Sequence, residues 1–365
     1  MMLAPQTPPR ATPIRSPWGV DADGLPVYRI VAPRKAWLDL VHEEALEPSL
    51  PIIDPHHHLW ELNGGYLLDD LLADLACGHH LIGTVFAQCG YAYDESAAAA
   101  LQPVGETRYV AQAAREAAAR GVAARVCAGI IAYADMTLGD AVRPVLQAHA
   151  EAAEGRLVSI RHITARHPDF NASLLGRAPE RQLADPAFRR GLAQLQAMDL
   201  VFDAWLYHNQ IHELTELARA MPGLRIVLNH LGGPIGIGPY TGRLEEARQE
   251  WLSALRVLAA CPNVHLKLGG LSMTLIGLDF HLRARPPSSE ELAQAWRPYI
   301  EPAIELFGPR RCLFESNFPV DSAGCSYGVL WNAFKRITSQ ASDDDKAWLF
   351  ARSADQVYRL VLMPN

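Results

Sequence analysis

The chain has 365 residues, with 33 lysines and arginines against 40 aspartates and glutamates, for a net charge of −7. No cluster of basic residues marks a nucleic-acid surface, and no stretch reaches the roughly 20 apolar residues of a membrane span. Apolar residues make up 49% of the chain and charged residues 20%, enough to bury a large core in one domain.

Residues 1 to 50 are proline-rich and irregular, with at most one short helix near Lys35 to Glu44. They read as an extension that packs on the main body or makes an oligomer contact; such an arm is compatible with a homodimer, and the sequence does not fix the oligomeric state. The first residues carry prolines and arginines where a secretory signal needs an apolar run. Six scattered cysteines without a C-x-x-C pair read as reduced thiols of a cytoplasmic protein.

From residue 51 to 365 short apolar runs alternate with amphipathic stretches, the pattern of successive βα units on a parallel sheet. The strand candidates are Pro51 to Asp54, Ile82 to Gln88, Arg125 to Ala132, Leu157 to Ile163, Leu200 to Leu206, Arg225 to His230, Val264 to Gly270 and Arg311 to Asn317. AQAAREAAAR and LEEARQEWLSALRVLAA are typical of the intervening helices. A last helix near Asp343 to Leu362 would close the fold. Eight strands and no glycine-rich phosphate loop after the first favour an α/β (β/α)8 barrel with an irregular N-terminal extension.

In such barrels chemistry gathers where the strands end. The first strand runs into Asp54-Pro55-His56-His57-His58-Leu59-Trp60. Simple alternation puts His56 and His58 on one face with Asp54 beneath them, and His57 on the other. Strand four ends in Arg161-His162, strand five in Trp205-Leu206-Tyr207-His208, and strand six in Asn229-His230-Leu231-Gly232-Gly233-Pro234. Strand seven supplies Lys267, with His265 deeper on the same face. Strand eight gives Glu315-Ser316-Asn317-Phe318-Pro319-Val320-Asp321.

The segments DPHHHLW, LYHNQ, LNHLGGP and ESNFPVD, in this order, resemble the amidohydrolase superfamily in its amidohydrolase-2 branch. Within it the chain is similar to the lactonases that open 2-pyrone-4,6-dicarboxylate, sulfomuconolactone and sugar lactones. The resemblance spans roughly residues 50 to 360 and implies a hydrolase that opens a small, carboxylate-bearing lactone with activated water. It also implies roles by position. His56 and His58 match the paired histidines, His208 the fifth-strand histidine and His230 the sixth-strand one. Arg161 matches a residue that holds an anionic substrate or polarises its carbonyl. One Zn²⁺ or Mn²⁺ held by His56, His58, His208 and His230 is one expectation, and metal-free catalysis the other.

One departure from the family pattern matters. The family ends strand eight with Ser-Asp-Trp-Pro, where the aspartate takes a proton from the attacking water, whereas this chain has Ser316-Asn317-Phe318-Pro319. An amide cannot take that proton. Glu315, Asp321, Asp54 or a metal-bound hydroxide are the substitutes. Lys267, Trp60 and Tyr207 complete the set expected to contact substrate. Tyr66, Tyr91, Tyr93 and Trp205 could also line a pocket, though aromatics at strand ends are often packing. His79, His80, His149, His167, His212 and His281 read as surface or packing residues, His162 as a barrel-to-helix hydrogen-bonder, and Gly232, Gly233 and Gly236 as turn formers. A metal-dependent decarboxylase or amide hydrolase of the same fold, or an inactive barrel kept for binding, are the rival readings.

Overall fold

A computed structural model describes residues 20–21, 24–27, 30–171 and 177–363. Eight strands run in parallel, in the order of the sequence. They are β1 (Pro51–His57), β2 (His80–Ala87), β3 (Arg125–Ala132), β4 (Leu157–Ile163), β5 (Val201–Trp205), β6 (Ile226–Leu228), β7 (Val264–Leu268) and β8 (Cys312–Phe314). Helices cover the outside of this (β/α)8 barrel: α1 (Lys35–Leu38), α2 (Leu68–Leu75), α3 (Val104–Ala119), α4 (Arg143–Ala152), α5 (Pro186–Ala197), α6 (Ile211–Ala220), α7 (Leu244–Leu258), α8 (Ser289–Phe307) and α9 (Tyr327–Ile337). The C-terminus adds α10 (Asp343–Ala347), a π-helical turn at Trp348–Arg352 and α11 (Ser353–Tyr358). No helix among the described residues is long and apolar enough to cross a membrane.

The observed strands β3 and β4 have the expected bounds, and the others differ at their ends. β6 and β8 stop three residues long because the chain must turn into the barrel mouth there. His230 and Asn317 both take a left-handed backbone, with φ of 52° and 53°, which turns the chain out of the extended direction and costs roughly 1–2 kcal/mol per residue. The helix expected over Lys35 to Glu44 is only the single turn α1. The last helix is broken into three pieces by the π-helical turn.

The alternation assumed for β1 is wrong, and Pro55 is the reason. Proline has no N–H to give to the ladder. Between the pairs Asp54↔Thr84 and His57↔Phe86, three steps on β1 face two on β2, which is a bulge. It reverses the parity of the strand. Ile53 packs inside the barrel with Val85, Val201, Val227 and Leu313, and His56 and His58 again face inward. Asp54 faces the helix layer, so it does not lie beneath the histidines. It accepts hydrogen bonds from Ser316 N (2.9 Å), Ser316 Oγ (2.6 Å) and Tyr327 Oη of α9 (2.9 Å).

These bonds help to close the barrel. β8 is too short to pair along β1, and the seam is completed beyond it. Asn317 N donates to His56 O at 2.9 Å and His58 N to Phe318 O at 2.7 Å. The other end of the barrel is plugged by the C-terminus: Ala351, Ala354, Val357, Tyr358 and Leu360 join the interior cluster. Leu362 and Leu360 occupy the space that a Cβ on Gly83 or Gly129 would need.

Residues 30–50 descend along the barrel wall. Arg34 Nη2 donates to His281 O at 2.8 Å and Trp37 Nε1 to Arg283 O at 3.0 Å. Lower down, Lys335 Nζ donates to Leu46 O and Glu47 O.

Asp54→Ala leaves the Tyr327 hydroxyl and the backbone N–H groups of His56 and Ser316 without this acceptor, while Ser316 Oγ keeps only its longer bond to His56 O. A stability loss of about 2–4 kcal/mol is expected from unmet buried donors, read as a lower urea midpoint. An unchanged midpoint would show that the seam does not need this carboxylate.

Candidate active site

Parallel pairing brings the inward-facing residues at the ends of β1, β4, β5, β7 and β8 to one level. His56 is the hub. Its Nε2 lies 3.1 Å from Arg161 Nη1, and its Nδ1 lies 3.1 Å from Lys267 Nζ and 3.0 Å from Glu315 Oε2. Arg161 and Lys267 can only donate and approach different ring nitrogens, so the neutral ring can accept from one of them at a time. His230 stands beside it, with ring centroids 4.6 Å apart. Its Nδ1 is 2.6 Å from Glu315 Oε1, which also accepts the His230 backbone N–H at 3.0 Å. His58 packs edge-on to His56 (4.9 Å) and stacks on Trp60 (5.1 Å), with its Nδ1 2.7 Å from Ala87 O.

Beneath this layer Lys267, fully buried, donates to Asp203 Oδ1 at 3.0 Å. Asp203 is itself surrounded by Ser159 Oγ (2.6 Å), Asn229 Nδ2 (2.7 Å) and Tyr358 Oη (2.9 Å). Arg161 also donates to Gln88 O, and its Nε–H is buried without a partner. Two carboxylates, Glu315 and Asp203, thus face two cations, Arg161 and Lys267.

Burial sets the protonation states. It holds His56 and His230 well below the usual imidazole range, and neighbouring Lys267 and Arg161 push in the same direction. Both rings are therefore neutral near pH 7. Burial raises the Glu315 carboxyl to about 8, against the pull of Lys267 and of the His230 N–H.

The packing depends on two glycines after β7. A Cβ on Gly269 would collide with Glu315, and one on Gly270, whose φ is +73°, would stand 2.6 Å from His230 Cβ. Sequence reading missed this pair, and it missed Asp203 as well. The signal for Asp203 was present: a lone aspartate inside the apolar run LVFDAWL needs buried partners.

His208, expected to join the other histidines, is turned elsewhere. Its Nδ1 accepts from Ile235 N at 3.0 Å, its Nε2 lies 3.7 Å from Glu250 Oε2, and its ring packs on Tyr240 at 5.0 Å. Tyr207 packs against Trp205 and Phe170 rather than against the histidine pair, and Trp205 is the aromatic that touches His230, at 4.7 Å. Asp321 sits behind the site, accepting from Asn317 Nδ2 at 2.7 Å and from Ser272 N; burial raises it to about 8. Its hold on Asn317 fixes the amide, so Asn317 Oδ1 is that side chain's remaining acceptor.

Of the other histidines, His80 and His212 are exposed and most of the rest pack. His57 Nε2 meets Thr84 Oγ1 at 2.9 Å, His79 meets Lys335, His149 meets Thr107, and His162 meets Met136 N and Gln182. His167, however, stacks on Phe170 at 4.4 Å in the loop after β4.

One set of metal donors exists among the described residues. His56, His230 and Glu315 each offer an atom, all within 4.8 Å of one another. Two imidazoles and a carboxylate suit Zn²⁺ or Mn²⁺, and Glu315 Oε2 is buried with no hydrogen-bond partner. The residues fit a divalent cation, with Glu315 in place of the expected His58 and His208.

A parallel barrel with a buried His–Glu–Arg–Lys cluster at its C-terminal mouth defines a (β/α)8 enzyme of the kind that activates water or a carbonyl. The amidohydrolase model Amidohydro_2 matches residues 53–360, and the chain belongs to that family. It is 32% identical over 338 residues to the uncharacterised protein y4mH of Sinorhizobium fredii, covering 86% of this chain and 99% of that one. It is 30% identical over 193 residues to an L-fucono-1,5-lactonase of Burkholderia multivorans, covering 52% of this chain and 62% of the relative. Among solved structures, a zinc-bound amidohydrolase from Burkholderia multivorans superposes with a TM-score of 0.66 at 24% identity, over 84% of this chain and 99% of that one.

Incubation with Zn²⁺ followed by elemental analysis is expected to show about one bound equivalent, reduced to background in Glu315→Gln. Equal uptake by both proteins would place the cation elsewhere.

Proposed function

We propose that the chain hydrolyses the ester bond of a small, carboxylate-bearing lactone. The observation that carries this reading is the buried Glu315–His230 pair beside Arg161. An ionised Glu315 accepts the Nδ1 proton of His230, which leaves Nε2 as a lone pair at the mouth. That is the arrangement by which a carboxylate fixes the tautomer of a general base. The similarity to L-fucono-1,5-lactonases at 30% identity supports the choice of a cyclic ester.

The steps follow from the chain's own groups. His230 Nε2 takes a proton from water while the water oxygen bonds to the lactone carbonyl carbon. The carbonyl π pair moves onto oxygen, where the unpartnered Nε–H of Arg161 stabilises it. Stabilising such an oxyanion usually contributes most in acyl transfer. His56 holds Arg161 in place through the 3.1 Å contact at Nε2. When the intermediate collapses, the ring C–O bond breaks and the leaving alkoxide takes the proton back from His230. The product is a hydroxy acid. Asn317 offers its carbonyl oxygen to orient the water and takes no proton. A divalent cation bound at His56, His230 and Glu315 would supply Lewis acidity and a more acidic water.

The pH dependence follows with its sign. Below about 8 Glu315 is protonated and donates to His230 Nδ1, which moves the ring proton to Nε2 and removes the base. Activity should therefore rise with pH through a limb centred near 8, with no imidazole limb near 6.5. A kcat/KM profile that instead falls away below an apparent pKa near 6.5 would contradict the pair.

His230→Ala and Glu315→Gln should each lower kcat by about 10²–10⁴-fold with the barrel still folded by circular dichroism. Proton release from a lactone panel in a pH-indicator assay is the direct measurement. Near-normal rates in both variants would remove these residues from the mechanism.

A further inference from the structure

A cavity of about 330 Å³ opens over the ends of β2, β3 and β4 and is lined by Tyr93, Tyr133, His162, Ile163, Gln182 and their neighbours. It lies close enough to the reaction centre for Tyr93 to feel the charge of Arg161. From its chemistry we infer that it is the subsite for the substrate's carboxylate, with Tyr93, Tyr133 and Gln182 as the recognising groups. This rests on the hydrolase reading above and extends it.

Neither tyrosine hydroxyl is hydrogen-bonded within the protein among the described residues, and neither is sealed from solvent. Both phenols are held above their ordinary titration range by burial, Tyr133 at about 12, so each remains an O–H donor. Gln182 supplies the third donor through a chain of tautomers. Met136 N–H donates to His162 Nδ1 at 3.3 Å, and burial keeps that ring neutral. The ring proton is therefore on Nε2 and needs an acceptor. The Gln182 amide lies 3.0 Å away, so it turns its carbonyl oxygen to His162 and its NH2 the other way. That far side of the amide is buried with no partner, and Gln182 is only 6% exposed.

Two phenol donors and the buried, unpartnered side of the Gln182 amide thus border a space with no carboxylate among its lining residues. A polyol hydroxyl can also accept from these groups, but a charged acceptor makes hydrogen bonds roughly twice as strong. A carboxylate brings acceptors only and satisfies all three. Its volume equals about ten water molecules, room for the part of a small lactone distal to the scissile ester. Arg177 also lines the cavity but is already engaged with the carbonyls of His167 and Pro168, and the assignment does not depend on it.

The test compares γ-butyrolactone with its γ-carboxylate, and measures binding of the ring-opened acid, 2-hydroxyglutarate, by calorimetry. In the double variant Tyr93→Phe/Tyr133→Phe the KM for the carboxylated lactone should rise about a hundredfold or more with kcat nearly constant, as loss of two hydrogen bonds to an anion predicts. The preference over γ-butyrolactone should fall by the same factor, and 2-hydroxyglutarate binding should weaken equally. Gln182→Glu, which sets a like charge on the wall, should lower the preference further. An unchanged preference in both proteins overturns the subsite. So does a wild-type preference for a polyhydroxylated lactone that disappears in the same variants. Binding of 2-hydroxyglutarate that is lost in the variants, in a protein that opens no lactone, upholds the subsite and overturns the hydrolase reading alone.

Discussion

A carboxylate with no access to water sits at the centre of this barrel, and most of the surrounding architecture exists to make that tolerable. Glu315 is fully buried, and a lone buried charge costs several kcal/mol. Two imidazole edges, one backbone N–H and the cations Lys267 and Arg161 offset that cost. A single charge pair at about 4 Å is worth about 4 kcal/mol at the effective dielectric of a protein, so two cations balance two carboxylates once Glu315 ionises, above about 8. Burial, reinforced by Lys267 and Arg161, keeps His56 and His230 neutral, which is the state the proposed base and lone-pair acceptor require.

Backbone geometry delivers these groups. The bulge at Pro55 points His56 and His58 into the mouth and sends Asp54 outward to tie the seam between β1 and β8. Gly269 and Gly270 let the strand-seven end approach Glu315 and His230 without a side chain between them. His230 and Asn317 hold left-handed backbones at the ends of two short strands. Strain of this sort persists only where the surroundings fix it, and here the hydrogen bonds to Glu315 and Asp321 do so.

The site also has a floor. Tyr358, from the last helix, reaches Asp203 through the plugged end of the barrel, and Asp203 in turn holds Lys267 under His56. The C-terminal pieces therefore connect to His56 through three successive hydrogen bonds. Their interruption by a π-helical turn is compatible with packing into the barrel rather than along its outside.

The amino-acid sequence alone determined the number and order of the strands, because apolar period and helix-forming composition are local properties. It also placed His56, His58, Arg161, His230, Lys267 and Glu315 at strand ends, since a barrel has one mouth and polar residues after apolar runs point to it. Which of them meet was decided only in three dimensions. His58 and His208 read as ligands on the same footing as His56 and His230, yet the loop after β6 turns His208 toward Ile235 and Glu250. Asp54 read as lying under the histidines, and one missing N–H at Pro55 reversed it. Glu315 and Asp321 were equal candidates for the base, and they separated once the turn after β8 placed Glu315 against His230 and Asp321 behind Asn317. Side-chain direction depends on bulges, on glycines and on loops that pack against distant parts of the chain, and none of these is written in local periodicity.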